Sequence, residues 1–253
     1  MSQPLQSINL VAPGFKGVNT EDSPIAQDPS FADVADNAVI DKRGRIAARK
    51  GINVITTTKT ALGTDYLYRI HQFYDDAGNE EIFSTGNNKI LKGTTTLTDI
   101  TPGSYTITAN NWKIVNFNDK AYFFQRGYDP LVYDNANGLR TFTVVNGSAT
   151  SATLKCNEAV SSFGRLWIVD NDTDTQTVYW SDLLIGNDFS GGSSGSINVT
   201  KAWPDGYDEV VALAAHNNAL IIFGQHSILV YGGAESPASM ALVDTVSGVG
   251  CVD

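Results

Sequence analysis

Three aspartates alternate along Asp170-Asn-Asp172-Thr-Asp174, and alternation of this kind can aim several carboxylate oxygens at one hard cation such as Ca²⁺. The helix-loop-helix calcium loop also needs a glycine after the third acid and a glutamate at its twelfth position. Thr175 and Ser181 stand there instead. A polar hairpin tip explains the segment more simply, so Asp170, Asp172 and Asp174 stay only as calcium candidates. Four tryptophans, Trp112, Trp167, Trp180 and Trp203, could stack on sugar rings. Trp112 and Trp167 fall at strand positions and are expected in the core. Trp203, beside Pro204 and Gly206, reads as loop-borne and is the glycan-stacking candidate. Lys42, Arg43, Arg45, Arg49 and Lys50 form a basic cluster opposed locally only by Asp41, and are candidates for an assembly contact.

Nucleophilic and metal-assisted hydrolysis find no motif. The chain has no G-x-S-x-G elbow, no H-E-x-x-H and no P-loop, and two of the three histidines, His71, His216 and His226, read as turn residues. Gly248-Val-Gly250 lacks the third glycine of a dinucleotide fingerprint and reads as a bend. Cys156 and Cys251 belong to no C-x-x-C pair, so neither a disulfide framework nor a thiolate metal site is expected. Carboxylate pairs for glycoside hydrolysis remain open, because any set of 27 acids contains pairs whose separation sequence does not reveal. No catalytic residue and no cofactor is expected from these motifs.

The net charge of −10 repels phosphate and argues against a firm grip on a nucleic acid backbone. A wall along which DNA slides would tolerate that sign. The start, Met1–Val11, lacks the basic and apolar regions of a secretory signal, and no stretch approaches the length of a membrane span. A chain made in a cytoplasm, without membrane insertion, is the expectation.

The elements that must hold these residues divide the chain in two. Residues 1–60 carry Pro4, Pro13, Pro24 and Pro29 with Gly14, Gly17, Gly44 and Gly51, and read as an extended arm with turns. A short helical turn over Ser30–Val39, with Ser30 as its N-cap, is expected within it. Residues 61–253 repeat a unit of strand, tight turn, strand, turn and strand. The final strands are marked by Ile90, Leu131, Val178 and Ile228, a spacing of about 40–50 residues. One such unit cannot shield both of its faces, whereas stacking against a neighbour does. The expected fold is all-β, a β-propeller-like array of 3–4-stranded antiparallel blades. A meander sandwich or barrel is the alternative. An apolar middle strand such as Leu220–Phe223 fits burial on both faces. Ser190–Ser196 reads as a flexible loop between the third and fourth blades, and Ala241–Thr245 as the start of a further strand unit, so that the ring is expected to be incomplete.

Several short motifs resemble a known family. They are Gly14-Phe-Lys-Gly-Val-Asn19, Ser23-Pro24, Asp36-Asn-Ala38, Gly44-Arg-Ile46 and Arg49-Lys-Gly51 in the arm. Phe163-Gly-Arg-Leu-Trp-Ile168, Tyr179-Trp-Ser-Asp182, Asn187-Asp-Phe189 and Leu213–Phe223 follow in the repeats. Together they resemble the podovirus tail nozzle proteins, also called tail tubular protein B. Members of that family are usually several times longer. The resemblance implies a virion structural protein rather than an enzyme. It implies a homo-oligomer, a hexameric ring, docked to a tail adaptor protein and neighbouring a tail fibre or tailspike. DNA would pass through the ring during ejection without specific binding. The arm and its basic cluster would then be docking elements. A carbohydrate- or receptor-binding propeller module of a virion is the alternative function, and a propeller-borne glycosidase the third.

Overall fold

A computed structural model describes residues 14–23, 25–51, 53–142 and 155–251. Pro4, Pro13 and Pro24 lie outside them. The chain forms two compact units, residues 1–54 and 55–253.

In the first unit β1 (Gly17–Val18) pairs in parallel with β2 (Phe31–Ala32), and β3 (Ala38–Ile40) forms a hairpin with β4 (Ile46–Ala48). The hairpin turn is built on Asp41, whose Oδ1 accepts the N–H groups of Arg43 and Arg45 at 2.8 and 3.0 Å. Gly44, at φ +74°, lies so close to Gly14 and Phe15 that a Cβ would stand 2.9 Å from Phe15 N. No helix forms over Ser30–Val39, contrary to expectation. The Ser30 N–H is taken by Asp28 Oδ1 at 2.9 Å, which closes a turn into β2, and Asn37 at φ +54° turns the chain into β3.

The second unit is four sheets, each a four-stranded antiparallel meander in chain order. Blade one holds β5 (Arg69–Tyr74), β6 (Glu80–Gly86), β7 (Lys89–Lys92) and β8 (Thr98–Asp99). Blade two holds β9 (Lys113–Phe117), β10 (Lys120–Phe124), β11 (Leu131–Asp134) and β12 (Gly138–Thr141). Blade three holds β13 (Cys156–Ser162), β14 (Arg165–Asn171), β15 (Thr177–Trp180) and β16 (Gly195–Asn198). Blade four holds β17 (Val210–His216), β18 (Ala219–Gly224), β19 (Ser227–Gly232) and β20 (Ala241–Ser247). Tight turns at Asn118-Asp119, Phe163-Gly164 and Asn217-Asn218 enter the middle strands of blades two to four with both residues at positive φ. That geometry matches the twist of a two-residue hairpin, and Asn, Asp and Gly adopt it most easily. The array is all-β and propeller-like, with sheets side by side as blades rather than two sheets face to face.

The first strands of successive blades, β5, β9, β13 and β17, touch one another. Between blades lie three apolar layers. Phe73, Phe83 and Ile90 meet Ile114, Phe123 and Leu131. Phe117, Tyr122 and Phe124 meet Ala159, Leu166 and Ile168. Trp167, Val169 and Val178 meet Leu213, Leu220 and Leu229. Fully burying each large side chain of this kind contributes roughly 1.5–3 kcal/mol. Trp112 and Trp167 are core residues as expected.

Three expectations about the strands are corrected. Burial on both faces holds for β14, whereas β18 alternates buried and half-exposed, because only one of its faces has a blade against it. Ala241–Thr245 does not begin a new unit but lies in the outer strand of blade four. The Gly-Ser stretch does not join blades three and four, since its last two residues, Gly195 and Ser196, begin β16, which pairs with β15 and completes blade three.

Candidate functional site

A cleft of about 330 Å³ opens where blades two, three and four meet, at the ends of β10, β14 and β18 and the starts of β9, β13 and β17. Its walls are polar: Asn111, Gln125, Arg126, Asn157, Asp170 and Glu209 are among them. Asp170 is buried, sits at φ +63°, and is gripped by the Arg126 guanidinium through both carboxylate oxygens. Burial pushes the Asp170 carboxyl above its usual range, and Arg126 opposes that rise. Gln225 Nε2 donates to Glu209 Oε2 at 2.9 Å.

Further polar groups bridge adjacent blades along the first strands. Arg69 Nε donates to Asn111 Oδ1 at 3.0 Å, His71 Nε2 lies 2.7 Å from Asn116 Oδ1, and Lys113 pairs with Glu158 at 2.5 Å. Burial raises the Glu158 carboxyl too, against the pull of Lys113. Each of these contacts joins one blade to the next, so the chemistry displayed is electrostatic cross-linking of the array. Arg126→Met is expected to cost about 2 kcal/mol, since it leaves the Asp170 charge buried without its cation while the arginine itself is half-exposed. The sign with pH follows. A carboxyl whose folded pKa is raised contributes stability below its unfolded value of about 4 that is lost as pH rises through the folded value. Without Arg126 that rise is larger. Denaturation midpoints should therefore show a wider gap between variant and wild type at pH 7 than at pH 4, and a gap independent of pH would contradict this.

The calcium candidates do not converge. Asp170 is committed to Arg126. Asp174 Oδ1 accepts the N–H groups of Gln176 and Thr177 at 3.0 and 3.1 Å, closing the turn into β15. Asp172 is exposed. Among the described residues no group of three His, Cys, Asp or Glu is arranged to hold a metal.

Trp203 is not an exposed stacking platform. It is 5 % exposed, packs in the layer between blades three and four, and donates from Nε1 to Gln176 Oε1 at 2.7 Å. Its loop is real, but the indole turns inward, where its large apolar area is shielded and its one polar atom is satisfied. Gln176 Nε2 donates in turn to the Asp208 carbonyl at 2.9 Å. The Asp208 carboxylate accepts the N–H groups of Glu209, Gln225 and His226 at 2.9, 3.1 and 2.9 Å. Sequence reasoning misses this buried chain from Trp203 to Asp208, because Gln176, which links the two, lies 27 and 32 residues from them and belongs to no motif.

In the first unit Lys42, Arg43, Arg45, Arg49 and Lys50 are all exposed on the β3–β4 hairpin. Arg45 makes a 3.0 Å ion pair with Asp41. Arg49 and Lys50 line a shallow cleft with Asn37 and Gly51.

No family model matches the chain, and no curated protein matches it. Solved structures give distant likenesses. An extracellular domain from B. thetaiotaomicron is 14 % identical with a TM-score of 0.45, over 81 % of this chain and 27 % of that one. The computationally designed Ika8 protein is 12 % identical with a TM-score of 0.39, over 73 % and 62 %. PorZ, a surface component of the type-IX secretion system of Porphyromonas gingivalis, is 12 % identical with a TM-score of 0.28, over 81 % and 29 %. The chain thus spans between about a quarter and three-fifths of these structures. Likenesses this distant carry no argument about function, and none bears on the tail-nozzle resemblance.

Proposed function

We propose that the chain is a structural part of a bacteriophage tail, a subunit of the nozzle that docks to an adaptor and surrounds the path of ejected DNA. The observation that carries this reading is the exposed basic hairpin. Acids and bases balance within residues 1–54, so the whole acid excess lies in the blades, while five cations crowd one small hairpin. A cationic hairpin in one unit and an acid excess in the other suit docking between subunits, where complementary charge speeds encounter and fixes register. The motif resemblance supplies the family context, and a subunit of this kind needs no catalytic residue.

The test is fractionation of the source culture with mass spectrometry of purified tailed particles. The chain is expected in the particles at several copies each. A chain carrying Lys42→Glu, Arg43→Glu, Arg49→Glu and Lys50→Glu is expected to fold and to be depleted from particles at least tenfold. Recovery of the wild-type chain only outside particles would end the reading, and incorporation of the charge-reversed chain at the wild-type level would remove the hairpin from it.

A further inference from the structure

The blades follow one register, and that register exposes an unfilled position. Counting from the tight turn into each middle strand, Tyr122 and Phe124 of β10 correspond to Trp167 and Val169 of β14 and to Ile221 and Phe223 of β18. The first four are at most 3 % exposed, because the following blade packs on them. Ile221 and Phe223 are half-exposed. They share their face of blade four with Ala212 and Ala214 of β17, with Ile228 and Val230 of β19, and with Val246 of β20 at 40 % exposed. Among the described residues none of the apolar layers covers this face.

The opposite surface has the same defect at the other end of the array. Ile114 of β9, which faces the preceding blade, is 8 % exposed, and its counterpart Ile70 of β5 is 68 % exposed. Ile70 shares its face with Gln72 and with Tyr74 at 52 % exposed, and across the pair with Ile82. Leu62 and Leu97 cover Leu91 farther out on that blade and leave this inner strip open.

We propose that the open face of blade four seats the first blade of a second copy of this chain, head to tail. The contact continues the series of blade interfaces already present three times within the chain. A face that takes a blade in blades one, two and three takes one in blade four by the same apolar chemistry. The one corresponding surface left open to receive it within the four blades is the Ile70 strip. Such a contact is heterologous, using two different patches, and closes into a ring when the rotation per subunit allows. The proposal concerns the purified chain and stands independently of the tail reading.

The experiment is light scattering on the purified full chain across a concentration series. Wild type is expected at a multiple of the monomer mass. Phe223→Asp and Ile70→Lys are each expected to weaken association at least tenfold. Ile70 is so exposed in the single chain that its substitution leaves folding intact, which protects the test against misfolding of the Phe223 variant. Mixing the two variants should restore association, since each supplies the patch the other lacks. A wild-type chain monomeric throughout, association untouched by Ile70→Lys, or no recovery on mixing would each overturn the proposal.

Discussion

Asp208→Ala is expected to destabilise the fold by about 3–5 kcal/mol and to lower the melting temperature by roughly 10 °C. The Asp208 side chain is 4 % exposed and accepts three backbone N–H groups, from Glu209, Gln225 and His226. Hydrogen bonds to a charged acceptor are worth more than neutral ones, so losing all three together with the buried carboxylate is costly. The Gln225 N–H keeps a second acceptor in the Glu209 carbonyl at 3.1 Å, so the loss falls mainly on Glu209 and His226. These donors tie the entry of β17 to the turn between β18 and β19, and Gly224, just before that turn, lies against the Trp203 ring. The site is also tight, since a Cβ on Gly224 would stand 2.4 Å from Asp208 Oδ2. Asp208→Asn keeps one acceptor oxygen in place and should recover about half the loss. A melting shift below about 1 °C for Asp208→Ala, by calorimetry at neutral pH, would show that the network carries little.

The same group makes a pH prediction of known sign. Burial pushes the Asp208 carboxyl up, but the N–H groups of His226, Glu209 and Gln225 together with the His226 ring outweigh it and hold it below the usual carboxylate range. A depressed folded pKa contributes stability that is present above the unfolded value of about 4 and is lost as pH falls through the folded value. Asp208→Asn should therefore be less sensitive to acid than wild type below about pH 4. Glu158 and Asp170, both raised, act in the opposite direction and gain as pH falls.

What could be read from sequence follows the range of the interactions. Strands flanked by tight turns were legible because Asn118-Asp119 and Asn217-Asn218 announce hairpins locally and the apolar residues beside them follow strand periodicity. The outer strands β8, β12 and β16 were not. Thr98–Asp99, Gly138–Thr141 and Gly195–Asn198 are short and polar, pair on one side only, and show no apolar alternation to detect. The Asp170 series looked like a ligand set because its spacing is local, whereas its determining partner, Arg126, lies 44 residues away. Trp203 misled for a related reason. Pro204 and Gly206 identify the loop, but the direction of the indole depends on Gln176 in the preceding blade segment. The basic cluster was legible and is exposed, since nothing beyond its own hairpin is needed to keep five cations in water.

Arg165 carries the second large effect, and it explains why the Gly-Ser stretch belongs to blade three. Its guanidinium is buried beneath that stretch. Nη1 donates to the Ser181 carbonyl at 2.7 Å and to the Ser193 carbonyl at 3.2 Å, and Nη2 donates to Ser193 Oγ at 2.6 Å. Burial pulls the group below its ordinary pKa and Asp182 pulls it back up. Asp182 in turn accepts the Ser193 N–H at 2.9 Å, so one serine is held from both sides. Arg165→Met should cost about 2–3 kcal/mol, or roughly 5–10 °C, chiefly by orphaning the buried Ser181 carbonyl. The Ser193 carbonyl keeps Trp180 Nε1 as a donor at 3.0 Å, which limits the loss. Arg165→Lys should recover less than half, because one ammonium cannot fork to both serines. The distinguishing readout is local. Amide exchange at Ser193 and Ser194 should accelerate in Arg165→Met well beyond the change in global stability, while exchange in blade one stays as in wild type. If the exchange rates of the Gly-Ser stretch track global unfolding alone, then packing of Phe189 and Trp180 holds it and the guanidinium does not.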